Sequence, residues 1–108
     1  MTHQPDPLRG ARWIADGGHA WLVVSTAAAR QVPGISRYSY VSPGGNKAYL
    51  ECDCDAARFA AHYGVTLADL PHTNYDGNAP CRRYPAYPWA ASHDDVIAWA
   101  RQDQAVTA

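Results

Sequence analysis

The six residues HAWLVV at positions 19–24 decide the fold of this 108-residue chain. Successive side chains of a strand point to opposite faces, so Trp21 and Val23 share one face while Leu22 and Val24 share the other. Both faces are then apolar, which is typical of a strand that is covered on both sides. We therefore predict that this segment is the central strand of a sheet.

Three further strands are expected around this segment. Residues 12–15 predict a strand that a turn at Asp16-Gly17-Gly18 joins to the central one. The alternating tyrosines of residues 37–41 and the apolar positions of residues 47–52 predict a hairpin. These segments indicate an antiparallel sheet of about four strands.

Helices are expected in the intervals between these strands. Residues 27–32 predict a short helix, and a second helix is expected to begin at Asp53 or Asp55 and to end at Gly64. Residues 92–100 predict a third. The predicted fold class is α+β, a small antiparallel sheet of about four strands with about three helices packed on one face.

Length and composition limit the classes of protein. We expect residues 1–10 to form a flexible arm and residues 11–108 to form one α+β domain. No apolar run reaches the roughly 20 residues of a membrane span, and no secretory signal is visible. Three cysteines are an odd number, so a cytoplasmic location without a disulfide framework is expected. The formal net charge of −1 argues against nucleic acid as the partner.

The segment ECDCD at positions 51–55 is the densest in potential metal ligands. One interpretation is a metal site that His62, His72 or Cys81 completes. The interpretation we favour is a strand end that passes into a helix with acidic residues at its N-terminus. We therefore predict neither a metal nor a cofactor.

No catalytic residue is predicted. Cys54 or Cys81 could act as a nucleophile with a histidine base, but the carboxylates beside Cys54 would repel a thiolate. The sequence contains neither a G-x-S-x-G elbow nor a phosphate-binding glycine loop. An enzyme is accordingly the less favoured interpretation.

Residues 75–89 combine tyrosine, tryptophan and arginine with prolines. These ring and guanidinium side chains dominate binding hot spots, and proline lowers the entropy cost of ordering a loop. The alternative is that the rings cover a core in which Val, Ile and Leu supply only 15 residues. The candidate binding residues of this loop are Tyr75, Asp76, Arg82, Arg83, Tyr84, Tyr87 and Trp89.

A second group of candidate binding residues comes from the predicted sheet. His19, Tyr38 and Glu51 could line a pocket, which would suit a small enzyme or a ligand-binding module. Asp53 and Asp55 could add an acidic face that competes for Arg/Lys surfaces of a partner.

Three stretches of the chain resemble a recurring pattern. GHAWLVV at 18–24, YSY at 38–40 and AYLECDCDA at 48–56 are similar to H-G-W-L, Y-S-Y and Y-L-E-E-D-C-D-A in small uncharacterised bacterial proteins carried on plasmids and prophages. The chain departs from that pattern at Ala20, where the family has glycine, and at Cys52, where it has a second acid. The resemblance implies an origin on a mobile element and brings no activity with it.

The function we predict is a non-enzymatic interaction protein of a phage or other mobile element. Its expected partner is a host or phage protein complex, such as a bacterial defence system that anti-CRISPR-like proteins inhibit. The first alternative is the small enzyme or ligand-binding module near His19, Tyr38 and Glu51. The second is a protein that binds single-stranded nucleic acid or an operator through Arg82, Arg83 and Tyr84.

Overall fold

The structure, a computed structural model, describes residues 6–89. These residues form five strands, two α-helices and one short 3₁₀ helix. In chain order the elements are β1 (Arg12–Ala15), β2 (Ala20–Ser25), α1 (Thr26–Arg30), β3 (Tyr40–Val41), β4 (Lys47–Glu51), α2 (Asp55–Tyr63), β5 (His72–Asn74) and the 3₁₀ helix (Pro80–Arg83).

The strands form one sheet in the order β3-β4-β2-β1-β5. Strand β2 lies at its centre and runs antiparallel to both β1 and β4, and β3 runs antiparallel to β4. The α+β class and the central position of β2 are thus confirmed. The register sets Trp21 opposite Glu51, which brings the start of β2 beside the end of β4.

The fifth strand corrects the expectation of a four-stranded antiparallel sheet. Strand β5 pairs in parallel with β1, so the sheet is mixed. Its residues His72, Thr73 and Asn74 are polar and exposed, so no apolar alternation marks them as a strand. Backbone contacts hold the strand instead, because Trp13 donates to the carbonyl of Pro71 and Tyr75 donates to that of Ala15.

Helices α1 and α2 pack on one face of the sheet. Leu22 and Leu50 from the sheet and Phe59 from α2 are fully buried there. Ser25 caps α1 by accepting the N–H of Ala28 at 3.1 Å, and Gly64 ends α2 in the left-handed conformation, with φ of 65°. Two α-helices, rather than about three, lie within residues 6–89, and the predicted helix over 92–100 lies outside the described residues.

The opposite face of the sheet is covered by chain rather than by α-helices. Ile14, Trp21 and Val23 from the sheet are buried beneath residues 75–84, which contribute Ala79 and Cys81. The face that carries α1 and α2 is called the helix face below, and this second face is called the loop face. Strand β2 is therefore apolar on both sides, as its sequence predicts.

The predicted hairpin is shorter than expected on its first side. Only Tyr40–Val41 pairs with β4, whereas residues 36–39 form a turn. The hydroxyls of Ser36 and Ser39 both donate to the buried carboxylate of Asp55, at 2.7 and 2.5 Å. These side-chain bonds draw residues 36–39 toward α2 and out of the sheet.

Candidate functional site

A pocket opens on the loop face where β2 begins and β4 ends. Its volume is about 400 Å³, within the range of ligand sites in proteins. Strand pairing explains its position, because Trp21 and Glu51 are partners and Cys52 donates its N–H to the carbonyl of Ala20. The lining residues are His19, Trp21, Tyr38, Tyr40, Glu51, Asp53, Cys54 and Arg82.

Aromatic side chains form one wall of the pocket. The indole of Trp21 is buried, and its ring centroid lies 5.2 Å from that of His19 and 6.2 Å from that of Tyr40. Tyr38 lies at the mouth and is 69% exposed, the more exposed of the two large apolar side chains that remain accessible within residues 6–89. The wall is thus fixed at its base and open at its rim.

Glu51 is held in one orientation at the floor of the pocket. Its Oε1 accepts the N–H of Asp53 at 3.0 Å and lies 3.2 Å from Nε2 of His19. Its Oε2 accepts the N–H of Cys54 at 3.3 Å. The Glu51 side chain is only 12% exposed, so its carboxylate is preorganised before any ligand arrives.

Cys52 and Asp53 lie beside this pair. The Cys52 thiol donates to Oδ1 of Asp53 at 3.5 Å. Burial raises the pKa of the Cys52 thiol, and the hydrogen bond to Asp53 and the charge of Asp53 raise it further. One donor atom from each of His19, Glu51, Cys52 and Asp53 lies within 4.8 Å of the others.

The Asp16–Arg82 pair fastens the covering chain to the sheet beside the pocket. Arg82 Nε and Nη2 donate to the two carboxylate oxygens of Asp16 at 2.5 and 2.8 Å, and Ala79 donates its N–H to the same carboxylate at 2.8 Å. Hydrogen bonds from Arg82, and then from the N–H of Ala79, hold the pKa of Asp16 well below its usual value. The Arg82 guanidinium also lies over the Trp21 ring, 5.0 Å from its centroid.

A buried polar network supports the floor from the helix face. Ser39 Oγ accepts the N–H of Glu51 at 3.0 Å and donates to Asp55. Asp55 is completely buried, accepts three hydrogen bonds from Ser36 and Ser39, and lies 3.4 Å from Arg58. It therefore offers no acidic surface to a partner and acts through the position of Glu51.

The predicted loop residues do not gather into one surface. Tyr87 is buried in the helix-face core, and Tyr75 and Tyr84 pack on the loop face, where Tyr84 meets Tyr49 edge-on at 5.3 Å. Asp76 and Arg83 are exposed, and Trp89 is 44% exposed with the Arg30 guanidinium 4.3 Å from its ring centroid. Three of the tyrosines predicted to bind a partner instead cover the core: Tyr75, Tyr84 and Tyr87.

His19, Tyr38 and Glu51 do come together, with Asp53 and Arg82 from the other predicted sets. Sequence reasoning missed Asp16, which its Gly17-Gly18 neighbours mark only as a turn residue. Its partner Arg82 is 66 positions away, and no local signal connects the two. Sequence reasoning also missed that Trp21 forms part of the pocket wall, which the alternation of side chains along β2 could have indicated.

The structure places the other candidate metal ligands and one candidate nucleophile away from the pocket. His62 lines a different hollow beside Tyr63, and the His72 ring stacks on Trp13 at 6.5 Å. Cys81 is fully buried, and burial raises the pKa of its thiol to about 12, so it is protonated at neutral pH. None of these three residues belongs to the His19 cluster.

Comparison of the chain with protein-family models, curated proteins and solved structures finds no match. Within residues 6–89, no helix has both the length and the apolar character that crossing a bilayer requires. The site is therefore interpreted from its own geometry.

Proposed function

We propose that this protein is a binding module that engages a partner macromolecule through the pocket on its loop face. The observation that carries the proposal is Tyr38, which is 69% exposed at the mouth of a concave, partly acidic site. An exposed tyrosine offers a large apolar area and a hydroxyl group. Its side chain has few rotamers to restrict on binding, so it suits an interface anchor. The partner class predicted from sequence, a host or phage protein complex, is part of this proposal.

The surroundings of Tyr38 support an interface. Glu51 and Asp53 place two carboxylates in the pocket, and Arg82 places a guanidinium at its edge. Arg82 is already bound to Asp16 and Glu51 is mostly buried, so the groups most available to a partner are the exposed Asp53 and Tyr38. This arrangement favours a partner that presents basic side chains, because complementary charge steers association and fixes register.

A comparison of two exposed rings tests the proposal. Tyr38→Ala and Trp89→Ala each remove an accessible aromatic side chain, from the pocket mouth and from the predicted binding loop respectively. Immobilised wild type and both variants are incubated with extract of the host cell, and the bound proteins are quantified by mass spectrometry. We expect a partner captured by wild type and by Trp89→Ala to be lost with Tyr38→Ala.

Loss of the partner with Trp89→Ala alone would instead assign the interface to residues 75–89. Equal capture by all three proteins would contradict both interfaces. Far-ultraviolet circular dichroism of the variants, matched to wild type, excludes misfolding as the cause of a loss.

A small-ligand function is a second candidate, because a pocket of about 400 Å³ contains the preorganised Glu51 carboxylate 3.2 Å from His19. A fragment library screened by NMR is the test. Shifts in the His19 ring resonances that vanish with Glu51→Gln would support it. Binding that leaves these resonances unchanged would contradict it.

A further inference from the structure

Four side chains that can each bind a metal ion meet beside the floor of the pocket, and all but Cys52 line it. They are His19, Glu51, Cys52 and Asp53, and one donor atom from each lies within 4.8 Å of the other three. They come from two separate parts of the chain, which the pairing of β2 with β4 brings together. We propose that this cluster is a binding site for one divalent transition-metal ion of the zinc type.

The distances between donors are close to those of a tetrahedral site. Zinc–ligand bonds of 2.0–2.3 Å imply donor–donor separations of roughly 3.3–3.8 Å around the metal. Two separations are already close to this range, since His19 Nε2 lies 3.2 Å from Glu51 Oε1 and Cys52 Sγ lies 3.5 Å from Asp53 Oδ1. The remaining separations must close from at most 4.8 Å, by about 1 Å, which small side-chain rotations provide.

The donor types select the class of metal. Imidazole and thiolate ligands favour zinc and similar transition metals, whereas calcium and magnesium prefer sets made only of oxygen. His19 and Cys52 supply the nitrogen and the sulfur, and the two carboxylates complete a mixed set of four. A divalent ion would also offset the repulsion between the two carboxylates of the cluster, Glu51 and Asp53.

The backbone of the cluster is already positioned by hydrogen bonds. The N–H of His19 donates to Asp16, that of Glu51 to Ser39 and that of Cys52 to Ala20, at 3.0, 3.0 and 3.2 Å. These bonds hold the backbone of three of the four ligand residues in place. The ordering cost of binding would therefore fall mainly on the side chains.

A role as a turn cap explains only one member of the cluster. Glu51 accepts the N–H groups of Asp53 and Cys54, so its carboxylate has a structural role without a metal. That role does not require the Cys52 thiol or the His19 ring to face the same space. A metal would use all four side chains and leave the bonds from the Asp53 and Cys54 N–H groups in place.

The site lies beneath Tyr38, so a bound ion would stiffen the surface that we propose as the interface. Only this consequence rests on the proposed function; binding of the metal itself involves no partner. The expected role of the metal is therefore structural: it would hold the side chains at the pocket floor in fixed positions.

Cobalt(II) titration of the full chain tests the site directly. Cobalt replaces zinc in tetrahedral sites, and a thiolate ligand gives a near-ultraviolet charge-transfer band that oxygen ligands do not give. We expect one equivalent of cobalt to produce this band and one equivalent of zinc to abolish it. We expect Cys52→Ser to remove the band and to weaken zinc binding by more than about tenfold, since even outer partners of a ligand are worth that much.

The neighbouring thiol provides a matched control, because Cys54 is exposed and lies outside the four-residue set. Cys54→Ser is expected to retain the band, and His19→Gln is expected to weaken zinc binding by more than about tenfold with an unchanged circular dichroism spectrum. Absence of the band in wild type, or its loss with Cys54→Ser and not with Cys52→Ser, would overturn the assignment.

Tyr38→Ala separates this inference from the proposed function. That variant keeps all four donors, so it should bind cobalt as wild type does even if it loses the partner. A wild-type chain that captures a partner but shows no cobalt band would remove the metal site and leave the interface standing. A cobalt band without capture of any partner would do the reverse.

Discussion

The two faces of the sheet are closed in different ways. On the helix face, Leu22, Leu50 and Phe59 are fully buried beneath regular helices, and the buried Asp55 has hydrogen-bonding partners. On the loop face, residues 75–84 cover Trp21 and bury their own Cys81 against it, and the Asp16–Arg82 pair fastens this segment. A hollow of similar volume lies beside α1 and α2, but the pocket that gathers acidic and aromatic side chains lies on the loop face, where β2 begins and β4 ends. Stability and binding are thus expected to depend on opposite sides of one strand.

The largest effect should come from the helix-face polar network. Asp55→Ala removes the acceptor of the Ser36 and Ser39 hydroxyls and breaks a buried pair with Arg58. We expect the free energy of unfolding to fall by about 3 kcal/mol or more. Urea denaturation measures this loss as a lower midpoint.

Asp69→Ala is the control, because Asp69 is exposed and its substitution should change stability by no more than about 0.5 kcal/mol. Similar losses of unfolding free energy for the two variants would mean that the buried network contributes no more to stability than an exposed carboxylate does.

A smaller loss is expected from the buried thiol of the loop face. Cys81→Ser sets a hydroxyl among Ile14, Trp21 and other apolar neighbours, which should cost about 1–3 kcal/mol. Cys54→Ser changes an exposed thiol and should cost much less. Denaturation midpoints of the two variants make the comparison.

Alkylation of the native protein tests, without any substitution, how well residues 75–84 shield Cys81. Cys54 should react first and Cys81 last, because Cys81 is covered and its pKa is raised to about 12. Equal rates for the two thiols would show that the covering chain opens readily, which would weaken the contrast between the faces.

Much of the helix face could be predicted from the sequence because its signals are local. Alternation identifies β2, Ser25 marks the start of α1, and Gly64 marks the end of α2. Each of these features depends on residues that are close together in the chain. Periodicity and capping therefore predict them well.

The loop face was less predictable because its contacts are distant in sequence. Strand β5 carries no apolar pattern, and Asp16 meets Arg82 across 66 positions. The candidate site could be predicted in part, because His19, Tyr38 and Glu51 all fall within the predicted strands. Cys52 and Asp53 were recognised as potential ligands, but only the register of β2 with β4 brings them beside His19.

The Asp16–Arg82 pair predicts how the loop face responds to acid. The lowered pKa of Asp16 means that its charged form is favoured by folding, so this stability is fully present above the ordinary carboxyl pKa of about 3.9. It is lost as the pH falls below that value. We expect a smaller effect than for Asp55, because the Arg82 side chain is 33% exposed and water screens the pair.

Melting temperatures of wild type and Asp16→Asn, recorded from about pH 7 down to about pH 3, measure this contribution. The gap between them should be widest near neutral pH and should narrow in acid, while Asp76→Asn, at an exposed carboxylate, should show no such change. A gap that stays constant with pH would mean that the charge of Asp16 contributes nothing to stability.

The smallest effect concerns how tightly Arg82 is held. A Cβ added at Gly18 would lie 3.1 Å from Nη2 of Arg82, whereas one added at Gly17 would meet nothing within 4 Å. Both substitutions restrict the unfolded chain to a similar degree, so the difference between them isolates the contact with Arg82. Because the guanidinium ends a flexible side chain, Gly18→Ala should lower the melting temperature only slightly below that of Gly17→Ala. Equal melting temperatures would mean that the Arg82 side chain accommodates the added methyl group without cost.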